Sequence, residues 1–146
     1  MAGRPRSRRQ TEHPSDFEVC VHGQPVSAQT ARRQALQAWK QQIRQACTQA
    51  WAGRPPIEEE VVIRVTHYCE TVIGDVDNLT KPIQDALQGV VYSNDRQVSD
   101  TIGNRRRIDA SFVVRYMSMP LAAAFSDGRP FVHIRVYRSP RRQTLG

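Results

Sequence analysis

The chain is poor in cysteine, in lysine and in long apolar runs. Its three cysteines, Cys20, Cys47 and Cys69, are odd in number and show no C-x-x-C spacing. A disulfide scaffold and a zinc ribbon are therefore not expected, and the usage fits a reducing, cytoplasmic compartment. No apolar stretch approaches the ~20 residues that span a bilayer, which excludes a helical membrane segment, and no membrane partner is expected. Arg8 and Arg9 are followed by no apolar h-region, so no export signal is expected. No internal repeat, low-complexity tract or glycine-rich phosphate loop appears. Lysine occurs only at Lys40 and Lys81, against 19 arginines.

What remains is a lean globular composition, 39% hydrophobic and 24% charged over 146 residues, enough for one domain with one core. The net charge of +7 is unevenly spread. Residues 1–10 carry four arginines and residues 138–146 carry three, with no acid in either stretch; elsewhere the chain has fourteen basic and fourteen acidic residues. Two basic tails on a neutral body suit a polyanion partner, and equally suit solubility. The expected organisation is a disordered basic arm over 1–15, a folded domain over 16–138 and a basic C-terminal tail over 139–146.

Hydrophobic periodicity predicts an α+β domain with a mixed or antiparallel sheet packed by one long and one short helix. Phe17 to His22 alternates as a strand. Leu36, Trp39, Ile43, Cys47 and Ala50 recur at three- and four-residue steps, which predicts a helix from about Ala28 to Trp51, stopped by Gly53 and Pro55-Pro56. Glu60 to Tyr68 is rich in β-branched residues. A second helix is expected between about Asn78 and Leu87, with Gly89 closing it. Pro82 conflicts with a start at Asp77, because it would lie past the first turn; a start near Thr80 removes the conflict. Val98 to Ile108, Ser111 to Tyr116 and Phe131 to Tyr137 read as extended, and Pro120 to Phe125 as a short helix.

The chemistry-bearing segment is Asp75-Val76-Asp77-Asn78-Leu79-Thr80-Lys81, followed by Asp85 and then Asn94-Asp95. In an extended segment, two Asp two residues apart point the same way, so both carboxylates reach one ion. Mg²⁺ takes one or two carboxylates plus waters and substrate phosphate, and Asp95 is placed to complete the set. An isolated D-x-D has a chance probability of roughly 0.4 here, whereas the longer pattern with Asn, Lys and Asp is on the order of 1 in 100,000, so only the longer pattern carries weight. The competing reading makes Asp75 and Asp77 an Asx turn and an N-cap, with Lys81 and Asp85 a helix-surface pair.

The run D-V-D-N-L-T-K-P-I-Q-D-A-L-Q-G, then N-D-R-Q-V, resembles the RusA family of Holliday-junction resolvases, whose pattern is D-x-D-N-x-x-K-x-x-x-D-A-L and an Asp followed by x-Q-V. Gly23-Gln24-Pro25-Val26-Ser27 also resembles the family's N-terminal part. The resemblance spans about residues 17–137, with its motifs concentrated in 75–98. It implies a small α+β fold, a homodimer, and branched (four-way) DNA as partner. Asp75, Asp77 and Asp95 match the acidic metal ligands and Lys81 the catalytic lysine, with Asn78 and Asp85 in support. Two positions depart from the pattern. Asn94 stands where many relatives have a second acid, and Glu70 to Gly74 lacks a basic run, for which Arg105, Arg106 and Arg107 are candidates to substitute.

The activity implied is Mg²⁺-dependent (or Mn²⁺-dependent) hydrolysis of phosphodiesters at a four-way junction, by paired symmetric nicks in recombination and repair. A carboxylate-bound ion would activate water and polarise phosphate. Lys81 would serve as a point charge on a phosphate oxygen, with Asp85 as its i,i+4 partner. Arg32, Arg33, Lys40 and Arg44, on the polar face of the long helix, are candidate phosphate contacts or a solvated face. His67 with Cys69, and Trp39 with Trp51, read as core. Two equivalent cuts need two sites, hence a homodimer with a contact sought at Phe131 to Tyr137. The rival reading is a non-catalytic DNA-binding module with a vestigial acidic site.

Overall fold

Four strands and three helices make up the computed structural model, which describes residues 14–71, 74–114 and 116–139. In chain order these are β1 (Phe17–His22), α1 (Arg33–Trp51), β2 (Val61–Cys69), α2 (Val76–Leu87), a 3-10 turn (Asp95–Gln97), β3 (Val98–Arg107), α3 (Met119–Asp127) and β4 (Phe131–Arg138). They form one mixed sheet in the order β1-β4-β2-β3. β4 runs antiparallel to both β1 and β2, and β2 runs parallel to β3. The parallel pair requires a crossover, and α2 is that crossover, so β2-α2-β3 is a βαβ unit that periodicity alone does not reveal. The fold is α+β with a mixed sheet, and α3 covers the short helix expected at Pro120 to Phe125. The basic arm over 1–15 and the tail over 139–146 lie outside the described residues except for Pro14, Ser15 and Ser139.

Alternation along the strands assigns two faces. Val61, Ile63 and Val65 of β2 and Val132, Ile134 and Val136 of β4 are buried toward α1 and α2, in one core with Trp39, Ile43, Cys47, Trp51 and Ile83. Trp39 and Trp51 are thus core residues, and the three cysteines are free thiols. On the opposite face α3 sets Phe125 against Tyr68, with ring centroids 4.9 Å apart, and against Phe131 at 5.2 Å.

Four local expectations change. α1 starts at Arg33 rather than near Ala28. The Ser27 hydroxyl accepts from Gln29 N–H and the Thr30 hydroxyl from Arg32 N–H, local turns that compete with helix. α2 starts at Val76, which puts Pro82 inside it. Proline cannot donate to the Asn78 carbonyl four residues back, and Ala28 N–H, from the loop before α1, donates to that carbonyl instead at 2.9 Å. Ser111 to Tyr116 joins no ladder among the described residues. Its Val113, Val114 and Tyr116 are exposed, as is Met119. β4, expected to carry a dimer contact, is an interior strand; the edges of the sheet are β1 and β3.

Candidate active site along helix α2

Helix α2 begins where β3 lets it approach. A Cβ on Gly103 would lie 2.6 Å from Thr80 Oγ1 and 2.7 Å from Val76 Cγ1, so only glycine admits this packing without displacement. Beneath it, fully buried His67 of β2 places Nε2 3.1 Å from Thr80 Oγ1. His67 Nδ1 is buried and has no partner among the described residues. A bare acceptor is cheaper to bury than a bare N–H, which favours the tautomer in which Nε2–H donates to Thr80. Burial, reinforced by the Arg105 charge, pushes the His67 imidazole down to about 4, so it is neutral at pH 7.

The expected site residues are strung along this helix. Asp75 is the N-cap, in extended conformation and with no side-chain cap bond, and Asp77 lies in the first turn. The period-2 premise that aims both carboxylates the same way therefore does not hold, because the helix has begun at Val76. Neither side chain makes a hydrogen bond or ion pair among the described residues, and both sit where four backbone N–H groups lack intrahelical acceptors. Arg105 Nη1 donates to the Gly74 carbonyl at 2.5 Å, fixing the residue just before Asp75.

Asp77, Lys81 and Asp85 follow at i, i+4 and i+8, one stripe of the helix surface. Lys81 Nζ lies 3.7 Å from Asp85 Oδ1. Asn78 contributes its carbonyl to Ala28 N–H, and no side-chain bond of its own among the described residues.

Asp95 stands at the far end. Tyr92, fully buried, presents its hydroxyl to the Gln84 carbonyl at 2.9 Å and to Asp95 Oδ1 at 3.0 Å, so one hydrogen faces two acceptors. Burial foremost, then the Asp95 charge and hydrogen bond, raises the Tyr92 pKa, so the hydroxyl stays a donor. With the Gln88 amide nitrogen turned toward it, Gln88 also donates to Asp95 Oδ2 at 2.8 Å. Asp95 is thus seated through Tyr92 and Gln88 against the C-terminal part of α2, whereas Asp75 and Asp77 head its first turn. No three His, Cys, Asp or Glu side chains among the described residues are grouped so as to hold a metal ion. The three-carboxylate site is not assembled in this structure. Sequence reasoning missed Tyr92 and Gln88; the Y-x-x-D spacing ahead of the 3-10 turn is the signal that finds the first.

The expected DNA-contacting residues divide by partner. On α1, Arg33 Nη1 donates to the Ala28 carbonyl at 3.1 Å, Lys40 pairs with Asp85 at 3.3 Å, and Arg44 Nη1 donates to the Gln88 carbonyl at 3.2 Å. Arg32 precedes the helix and is exposed. On β3, Arg106 bonds the Arg105 carbonyl and Arg107 forms a two-pronged pair with Asp109. Lys40, Arg44 and Arg105 therefore converge on α2, while Arg106 and Arg107 do not.

No helix among the described residues is long and apolar enough to cross a membrane. A comparison with curated proteins gives no match. The sequence profile described as Endodeoxyribonuclease RusA matches residues 3–137, nearly the whole chain and all of α2 with its acidic and lysine stripe. The chain belongs to the RusA family of Holliday-junction endodeoxyribonucleases.

Proposed function

We propose that the protein is a structure-specific endonuclease that resolves four-way DNA junctions by two symmetric nicks, in recombination and repair. Family membership carries endonuclease action on branched DNA in general. The observation that supports a working site in this chain is the head of α2: two carboxylates, Asp75 and Asp77, without partners among the described residues, and an exposed ammonium, Lys81, one turn on. An exposed ammonium is a mobile point charge for a non-bridging phosphate oxygen, and Arg105 holds the backbone from which Asp75 projects.

RusA-family nucleases are generally dependent on divalent metal ions. Dependence on Mg²⁺, with Mn²⁺ as a substitute, belongs to the same proposal, with Asp75 and Asp77 as its first carboxylates. Asp95, the third acid of the motif, is seated on Tyr92 and Gln88 and does not join them here. The proposal also includes a cytoplasmic homodimer built on the domain over 16–138, its basic tails adding affinity for DNA. Exposed Val113, Val114, Tyr116 and Met119 are the apolar surface that supports pairing.

The test uses a synthetic four-way junction, a linear duplex of the same sequence, and Mg²⁺. The expected result is paired nicking of the junction alone, abolished by Asp75→Asn, Asp77→Asn or Asp95→Asn with junction binding retained. Binding without cuts by the wild-type protein would establish the non-catalytic alternative.

A further inference from the structure

Both lysines of the chain converge on one carboxylate. Asp85 Oδ2 lies 3.3 Å from Lys40 Nζ of α1, and Oδ1 lies 3.7 Å from Lys81 Nζ of α2. The two ammoniums are unequally placed, since the Lys40 side chain is 28% exposed and that of Lys81 is 69%. Arg44, one turn along α1 from Lys40, bonds the Gln88 carbonyl at 3.2 Å, which fixes α1 beside this part of α2. Lys40 therefore faces Asp85 from a braced helix, while Lys81 reaches the same carboxylate at longer range from solvent.

A carboxylate with one cationic neighbour holds it; a carboxylate with two shares itself between them. We infer that Lys40 is a positioning residue of the active site: by occupying Asp85 it leaves Lys81, the more exposed ammonium, free to turn to a phosphate oxygen. Lys40 then acts on DNA only through Asp85 and Lys81. This separates it from the direct phosphate contact that its place on the polar face of α1 suggests. The kinetic consequence rests on the nuclease reading; the pairing itself does not.

An exposed ion pair shifts an equilibrium by up to about fivefold, which sets the size of the effect. Lys40→Met is expected to slow single-turnover junction cleavage about three- to fivefold while leaving junction affinity nearly unchanged, and Lys40→Arg is expected to restore the rate. The decisive measurement adds Lys40→Met to Asp85→Asn. Whatever Asp85→Asn does alone, the second substitution should then change nothing, because no carboxylate is left to share. An equal loss in both backgrounds would mean that Lys40 touches phosphate itself or serves packing alone, and would overturn the inference.

Reductive methylation with ¹³C-formaldehyde gives a readout that needs no cleavage. It keeps the lysine charge and yields two lysine signals besides that of the amino terminus, assigned through Lys40→Arg. Adding a four-way junction should move the Lys81 signal and leave Lys40 in place. Movement of Lys40 with Lys81 still would overturn the inference. A wild-type protein that cuts no branched DNA would refute the nuclease reading, and the methyl signals would still decide whether Lys40 holds Asp85.

Discussion

His67 makes the stability of this fold depend on pH in a way that can be calculated. The imidazole is fully buried under α2, and burial with the nearby Arg105 charge pushes its pKa down to about 4 from an ordinary value of 6.5. Above pH 6.5 it is neutral in both folded and unfolded chains and contributes no pH dependence. Between pH 6.5 and 4 the unfolded chain takes up a proton that the folded chain refuses, so stability falls as pH falls, and below 4 the loss is complete. At 1.36 kcal/mol per tenfold, the gap amounts to about 3 kcal/mol, a large share of the margin of a domain this size. Carboxylates titrate over the same range, so the measurement needs a partner variant. His67→Gln keeps a donor for Thr80 and removes the titration. Urea unfolding followed by the fluorescence of buried Trp39 and Trp51 should show the wild type losing about 3 kcal/mol more than the variant between pH 7 and pH 4. Parallel pH profiles would refute the argument.

Two further outcomes follow from the packing of α2 and its neighbours. Gly103→Ala forces a methyl group against Thr80 and Val76 and should cost about 1–3 kcal/mol, read as a lower urea midpoint at unchanged slope; an unchanged midpoint would mean that α2 adjusts freely. Tyr92→Phe keeps the ring in the core and removes the donor to Asp95, for an expected loss of about 2 kcal/mol together with slower junction cleavage. Full cleavage by that variant would show that the seating of Asp95 is irrelevant to the reaction.

Much of the fold is legible from periodicity, because β1, β2, β4 and the buried stripe of α1 each carry their pattern locally. The failures are non-local. A proline rule applied to the sequence delays the start of α2, because the donor that satisfies the Asn78 carbonyl is Ala28, fifty residues earlier. The run at Ser111 to Tyr116 has strand propensity but joins no ladder among the described residues, and propensity alone makes no ladder. The site shows the same division. The spacing of Lys81 and Asp85 reads directly as a helix-surface pair, whereas Asp77, read in an extended segment, joins that stripe only because α2 starts at Val76. The seat of Asp95 on Tyr92 and Gln88, and the grip of Lys40 on Asp85, depend on how the chain folds back and have no periodic signature. Arg105 is visible as part of a basic triplet, but its bond to Gly74 is set by the parallel register of β3 on β2.

The bond between Ala28 and Asn78 also bears on how this chain tolerates change in length. Connecting loops usually accept insertions and deletions, since their closure entropy rises only slowly with length. The connection between β1 and α1 is different, because one of its amides must arrive at the carbonyl that Pro82 leaves without an intrahelical donor. An extra residue between Gly23 and Ala28 would move that amide out of reach and leave a carbonyl bare in the middle of the helix that carries the acidic residues. Insertions are therefore poorly accommodated in this surface loop, whose length is matched to a proline more than fifty positions away.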